Sequence, residues 1–187
     1  MATDFVIIRH GEPAAAGVED PPLSDRGRRE AEATAMALAG ADFAALYVSP
    51  MLRARQSAEP LARVTGLEPI VEERVSEFNS GQAYYSEKHA AEMSGEQALA
   101  ILAAMQDPAF LNRVRTGFDD IAAAHPDATV AVVCHGGVIS AMMTAAIYND
   151  ALILLPDNGS VTRIRSQGGG FRSLVSFNET SWLAGIE

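Results

Sequence analysis

Two kinds of apolar pattern alternate along the chain. Short unbroken runs, at Asp4–Ile8, Ala44–Val48 and Ala128–Cys134, have the character of strands buried on both faces of a parallel sheet. Between them lie longer segments with helix punctuation. Ser24 reads as an N-cap leading through Arg26–Ala39 to a stop at Gly40, and Ser49 caps a helix with Pro50 at its first position and Gly66 at its exit. Pro69–Val71 is a short third strand, and Glu72 to Ser86 carries no strong period and reads as a loop. Ser94 and Gln97 stand in capping-box spacing, Pro108 opens a helix running to about His125, and Gly137–Ile147 is the helix behind the fourth strand. "SVTRIRS" and "FRSLVSF" alternate as strands around Gly168, Gly169 and Gly170. Strands alternating with helices predict an α/β three-layer sandwich, a mainly parallel central sheet flanked by helices, with residues 1–187 forming a single domain.

Composition narrows the partners. With 187 residues, 48% of them hydrophobic, the chain is long enough for one sizeable core. A net charge of −10 argues against nucleic acid or an anionic membrane surface, so an anionic ligand would need positive charge gathered locally. The single cysteine, Cys134, excludes an internal disulfide framework and suits a reducing, cytoplasmic setting. The first residues lack the basic start and apolar core of a secretory signal. Residues 128–149 contain no Asp, Glu, Lys or Arg and are long enough to span a bilayer, but His135, paired glycines and a β-branched first half read instead as strand, turn and buried helix. A soluble protein without a membrane partner is expected.

The candidate chemistry sits where strands end. His10 follows the first strand and His135 the fourth, each followed by a glycine, Gly11 and Gly136. In open α/β sheets ligands bind at the carboxyl ends of strands, so the two stretches are expected to meet at one rim. Glycine allows a backbone N–H to approach an anion closely, and Arg9 and Arg53, the latter one turn into the helix after the second strand, supply planar donors of the kind a phosphoryl group takes. His89 and His125 lack metal-ligand spacing, so no metal is expected. A Cys134–His135 dyad fails because neighbouring strand residues point to opposite faces. Neither GxSxG nor a Walker A pattern is present.

"RHGE" at Arg9–Glu12, "PLSDRG" at Pro22–Gly27, "SPMLRARQSA" at Ser49–Ala58, "EF" at Glu77–Phe78 and "CHGGVI" at Cys134–Ile139 together resemble the histidine phosphatase superfamily, the phosphoglycerate mutase-like phosphatases and mutases. The resemblance implies hydrolysis of a small phosphorylated substrate with His10 as nucleophile, a phosphohistidine intermediate, and no cofactor. Arg9, Arg53 and His135 would hold the phosphoryl oxygens, with Gly11 and Gly136 lining the site. Glu77 would be the acid that protonates the leaving oxygen, with Glu72 and Glu73 as alternatives. The family's frequent asparagine six residues after the nucleophile is Ala16 here, and its frequent glutamine in the second motif is Glu30. A helical lid or insert around 83–125 is expected over the site. Mutases of the family carry an extra basic segment, whereas this chain offers only Lys88, Arg113 and Arg115 there. The expectation is therefore a phosphatase. A phosphoglycerate mutase-type transferase, a phosphohistidine-protein phosphatase and a non-catalytic phosphate-binding module are the alternatives, and a homodimer is left open.

Overall fold

In the computed structural model, residues 2–14, 20–78, 94–147, 154–167 and 170–186 are described. The unbroken apolar runs become the middle of a six-stranded sheet: β1 (Thr3–Arg9), β2 (Ala45–Val48), β3 (Pro69–Val71), β4 (Thr129–Cys134), β5 (Val161–Ser166) and β6 (Arg172–Glu179), in the order β3-β2-β4-β1-β5-β6. The β1–β4, β2–β4 and β2–β3 pairs are parallel, and β5 and β6 add an antiparallel edge. The expected three-layer α/β fold is the one observed.

The absence of polar breaks has a direct cause. Phe5 and Ile7 of β1, with Val130 and Val132 of β4, pack on one side against helix α4 (Pro108–Ala124) through Phe110, Val114 and Phe118, and against α5 (Gly136–Ile147) through Ile139 and Met142. Val6, Ile8, Ala131 and Val133 pack on the other side against α1 (Asp25–Leu38) and α2 (Leu52–Thr65) through Ala35, Leu38, Ala54, Ala58 and Leu61. Alternate residues serve opposite cores, so beyond Asp4 and Thr129 at their starts these two strands are buried on both faces. Burying each such large side chain contributes roughly 1.5–3 kcal/mol, and Phe5 also meets Phe118 edge-on at 5.0 Å between ring centroids.

Helix ends follow the sequence signals at several places. Ser24 accepts the Gly27 N–H at α1, Asp107 accepts the Ala109 N–H ahead of Pro108, and Gly66 closes α2 at φ +73°. The start of α2 differs from expectation. Met51 occupies the cap position without a side-chain bond, and Asp20, from the loop before α1, accepts the Leu52 N–H with both carboxylate oxygens. The Ser49 hydroxyl has turned to His135 instead.

Residues 79–93, where much of the expected cover over the site would fall, lie outside the described residues. Of the rest of 83–125, helix α3 spans Gly95–Met105, while α4 is part of the sheet's own core. Residues 128–149 divide into β4 and α5 as read, and among the described residues no helix is long and apolar enough to cross a membrane.

The site is positioned by the way the chain leaves β1 and β4. After β1 it crosses through α1 to β2, on the far side of β4; after β4 it crosses through α5 to β5, on the far side of β1. The two connections diverge to opposite faces and leave a crevice at the adjacent strand tips.

Candidate active site

Arg9 of β1 lies in register with Cys134 of β4, and the His10 N–H donates to the Cys134 carbonyl at 3.0 Å. One residue beyond each strand, the His10 and His135 rings stand 5.0 Å apart at 61°. Both are buried. The Nδ1 of His10 lies 2.7 Å from the Gly11 carbonyl, which can only accept, so Nδ1 carries the proton and Nε2 the lone pair. That lone pair accepts from Nε of Arg53 at 3.2 Å. Burial, then the charges of Arg53 and Arg9, hold His10 well below its usual 6.5 and keep the ring neutral.

Arg53 emerges from the first turn of α2, only 3% exposed, and its Nη1 also reaches Asp20 at 3.4 Å. Arg9 is also buried and donates through Nη1 to the Pro156 carbonyl. His135 Nε2 lies 2.7 Å from the Ser49 hydroxyl, which also accepts the Met51 N–H. The other ring nitrogen, Nδ1, is a buried atom with no hydrogen-bond partner among the described residues. Burial and the surrounding cations push His135 well below 6.5 as well.

Glu77 comes to the same rim from the loop after β3. Its Oε2 accepts the Gly137 N–H at 3.1 Å, in the first turn of α5, and its Oε1 accepts the Phe78 N–H at 3.1 Å. Those bonds and the charges of Arg53 and Arg9 favour the carboxylate, but burial outweighs them and raises the carboxyl above its usual 4.5. The other two glutamates of the segment are placed differently. Glu72 pairs with Arg74 at 2.7 Å, which holds its carboxyl below the usual value, and Glu73 opens a 3-10 turn over Glu73–Val75.

The glycines have reasons other than an open anion cradle. The Gly11 N–H donates to Ser57 Oγ at 3.0 Å, and a Cβ at position 11 would sit 2.3 Å from the Gly27 carbonyl oxygen. Glycine at 11 and 27 therefore lets the turn after β1 press against the start of α1. A Cβ at Gly136 would meet only the Arg9 guanidinium, at an ordinary 3.6 Å. At Gly137, by contrast, it would fall 2.4 Å from Glu77 Oε1.

Several supporting residues escape a reading of the sequence. Ser57 donates to the Arg53 carbonyl at 2.8 Å while accepting from Gly11, tying α2 to the turn that bears His10. Its spacing of four from Arg53 puts both on one helix face, a signal that was available. Asn158 Nδ2 donates to the His10 carbonyl at 2.9 Å, and the Gly159 N–H reaches the Arg9 and His10 carbonyls. "PDNGS" carries the marks of a turn and gives no hint of its target.

The model of the histidine phosphatase superfamily (branch 1) matches residues 5–180. Phosphoserine phosphatase 1 of Hydrogenobacter thermophilus is 27% identical over 170 residues, covering 78% of this chain and 77% of that protein. Among solved structures, a mycobacterial glucosyl-3-phosphoglycerate phosphatase superposes with a TM-score of 0.80 at 25% identity, covering 96% of this chain and all of that one. The same enzyme with VO3 gives 0.79 at 25% identity, over 95% of this chain and 99% of that chain.

Proposed function

The chain belongs to the histidine phosphatase superfamily, and from that premise we propose that it hydrolyses a small phosphate monoester through a phosphohistidine on His10. The observation that carries this reading is the state of His10: a neutral, buried imidazole with its proton on Nδ1 and its Nε2 lone pair beside Arg53. An imidazole so held is a nucleophile at neutral pH without prior loss of a proton.

In the first step Nε2 forms a bond to phosphorus as the ester P–O bond breaks, and Glu77 gives its proton to the departing oxygen. In the second step water attacks phosphorus, Glu77 takes the water's proton, and the N–P bond breaks to release phosphate. Arg9, Arg53 and His135 hold the non-bridging oxygens. Preorganised donors of this kind are each worth roughly 2.7–4 kcal/mol of barrier in comparable sites. Their charge fills the role that a metal plays elsewhere, so the reaction is proposed to be metal-independent. The raised carboxyl of Glu77 suits an acid, whereas Glu72 is committed to Arg74. Phosphoserine and glucosyl-3-phosphoglycerate, named for the relatives above, are alkyl esters of small metabolites and head the substrate panel. The buried free thiol of Cys134 fits a reducing cytoplasm.

Rapid quenching during turnover of a labelled substrate should trap acid-labile, base-stable phosphate on His10. Label on His135, or on no residue of an active enzyme, overturns the nucleophile assignment. Activity should survive exhaustive chelation and be inhibited by vanadate; restoration by one divalent ion after chelation would assign the charge to a metal instead.

A further inference from the structure

Glu77 sits on a loop, and loops do not by themselves hold a carboxyl to the accuracy that proton transfer needs. The 3-10 turn before it is closed by the Ser76 N–H on the Glu73 carbonyl, and the carbonyls that follow lie outside that bond. One side chain gathers them. Arg113 of α4 donates through Nη1 to the carbonyls of Glu73 at 3.2 Å and Arg74 at 2.9 Å, and through Nη2 to those of Ser76 at 2.9 Å and Glu77 at 3.4 Å. Its guanidinium lies over the Phe110 ring, 5.1 Å from the centroid, and Phe110 meets Phe78 edge-on at 5.7 Å. Arg113 and Phe110, three residues apart on one helix face, thus hold Glu77 and the residue after it.

We propose that Arg113 is the positioning residue for Glu77, fixing the backbone of the acid's loop so that the carboxyl stays at the rim. This rests on Glu77 being the general acid. The guanidinium's terminal nitrogens are spent on four carbonyls, so it is an anchor rather than a substrate-binding cation. Arginine suits the task because its planar fork presents several N–H groups in fixed directions, where an ammonium presents one compact charge. Val75, fully buried beside the same helix, anchors the turn two residues earlier but leaves the Ser76 and Glu77 peptides to Arg113.

The test measures single-turnover phosphorylation with β-glycerophosphate and p-nitrophenyl phosphate in Arg113→Lys, Arg113→Met, Glu77→Gln and the Arg113→Lys/Glu77→Gln double variant. Arg113→Lys keeps the charge and the stem over Phe110, and urea midpoints establish that it is folded even where Arg113→Met is not. It should slow the alkyl ester by about 10- to 100-fold, the scale of a misplaced catalytic group, and the nitrophenyl ester by less than about threefold, since nitrophenolate needs little help from an acid. In the Glu77→Gln background, Arg113→Lys should add less than about twofold on the alkyl ester, because the group it positions is gone. Equal losses on both esters, no loss on either, or a full further loss in the double variant overturns the proposal. If Glu77→Gln itself slows both esters equally, the acid assignment has failed and the positioning role falls with it.

Discussion

Glu77 is pulled in two directions by its surroundings. Backbone N–H groups and arginine charge favour the anion; burial favours the acid and prevails. As the proposed proton donor, Glu77 would act only while it keeps its proton and so would define the alkaline limb of kcat/KM, whereas His10, the proposed nucleophile and needed neutral, would define an acidic limb lying below 6.5. Glu77→Gln should abolish the alkaline limb and leave the acidic one. It should slow phosphorylation by β-glycerophosphate by roughly 10²–10⁴-fold, the usual worth of general acid catalysis, and far less with p-nitrophenyl phosphate. Comparison of pH–rate profiles for variant and parent cancels the substrate's own ionisation. An unchanged alkaline limb would transfer the role away from Glu77.

The elements contribute by meeting closely. The turn after β1 lies against the start of α1 at a separation that only two glycines permit. Gly11→Ala and Gly27→Ala each drive a methyl into backbone, and each should cost about 3 kcal/mol or more of unfolding free energy. Gly136→Ala meets only ordinary contacts at a helix start and should change stability by less than about 1 kcal/mol, so urea titrations of the three variants separate crowding from a general preference for glycine. This also bears on what could be read beforehand. The strands, their parallel arrangement and the tips bearing Arg9, His10 and His135 were legible, because an unbroken apolar run and its end are local patterns. The cap of α2 was not: Asp20 reaches Leu52 from 32 residues away, and Ser49, adjacent to the expected start, serves His135. Arg113, 36 residues from Glu77, was counted only as a stray basic residue, since nothing local marks a side chain that serves a distant loop. At Gly11 the sequence suggests an N–H offered to an anion; in the fold that N–H donates to Ser57, and the missing Cβ makes room for Gly27.

For the molecule as a whole, two buried neutral histidines impose a pH dependence on folding. In the unfolded chain they titrate near 6.5; in the fold both are held well below it. As pH falls through 6.5, the unfolded chain takes up protons that the folded one refuses, so stability declines until the folded-state values are reached. Each histidine contributes at most about 1.4 kcal/mol per pH unit, and the pair about twice that. Glu77 works the other way: just above 4.5 the fold retains a proton that the unfolded chain has released, which offsets part of the loss. Urea midpoints should therefore fall between pH 7.5 and 5, and the trend should flatten when His10 and His135 are both replaced by Asn. A parent protein whose midpoint is level across that range would contradict the neutral state assigned to the two rings.

In the phosphohistidine mechanism proposed above, the hydrogen bond from His10 Nδ1 to the Gly11 carbonyl would have a consequence for regiochemistry and for the lifetime of the intermediate. With Nδ1 engaged, only the Nε2-phospho isomer can form, which two-dimensional proton–phosphorus NMR of a denatured, base-stabilised sample distinguishes from the Nδ1 isomer. With its hydrogen kept on Nδ1, the phosphorylated ring of that mechanism would be an imidazolium, an activated phosphoramidate rather than an inert one. On cleavage of the N–P bond the ring would depart as the same neutral tautomer that began the cycle. The proposed nucleophile would then turn over with no net gain or loss of a proton, held so by the carbonyl of a glycine.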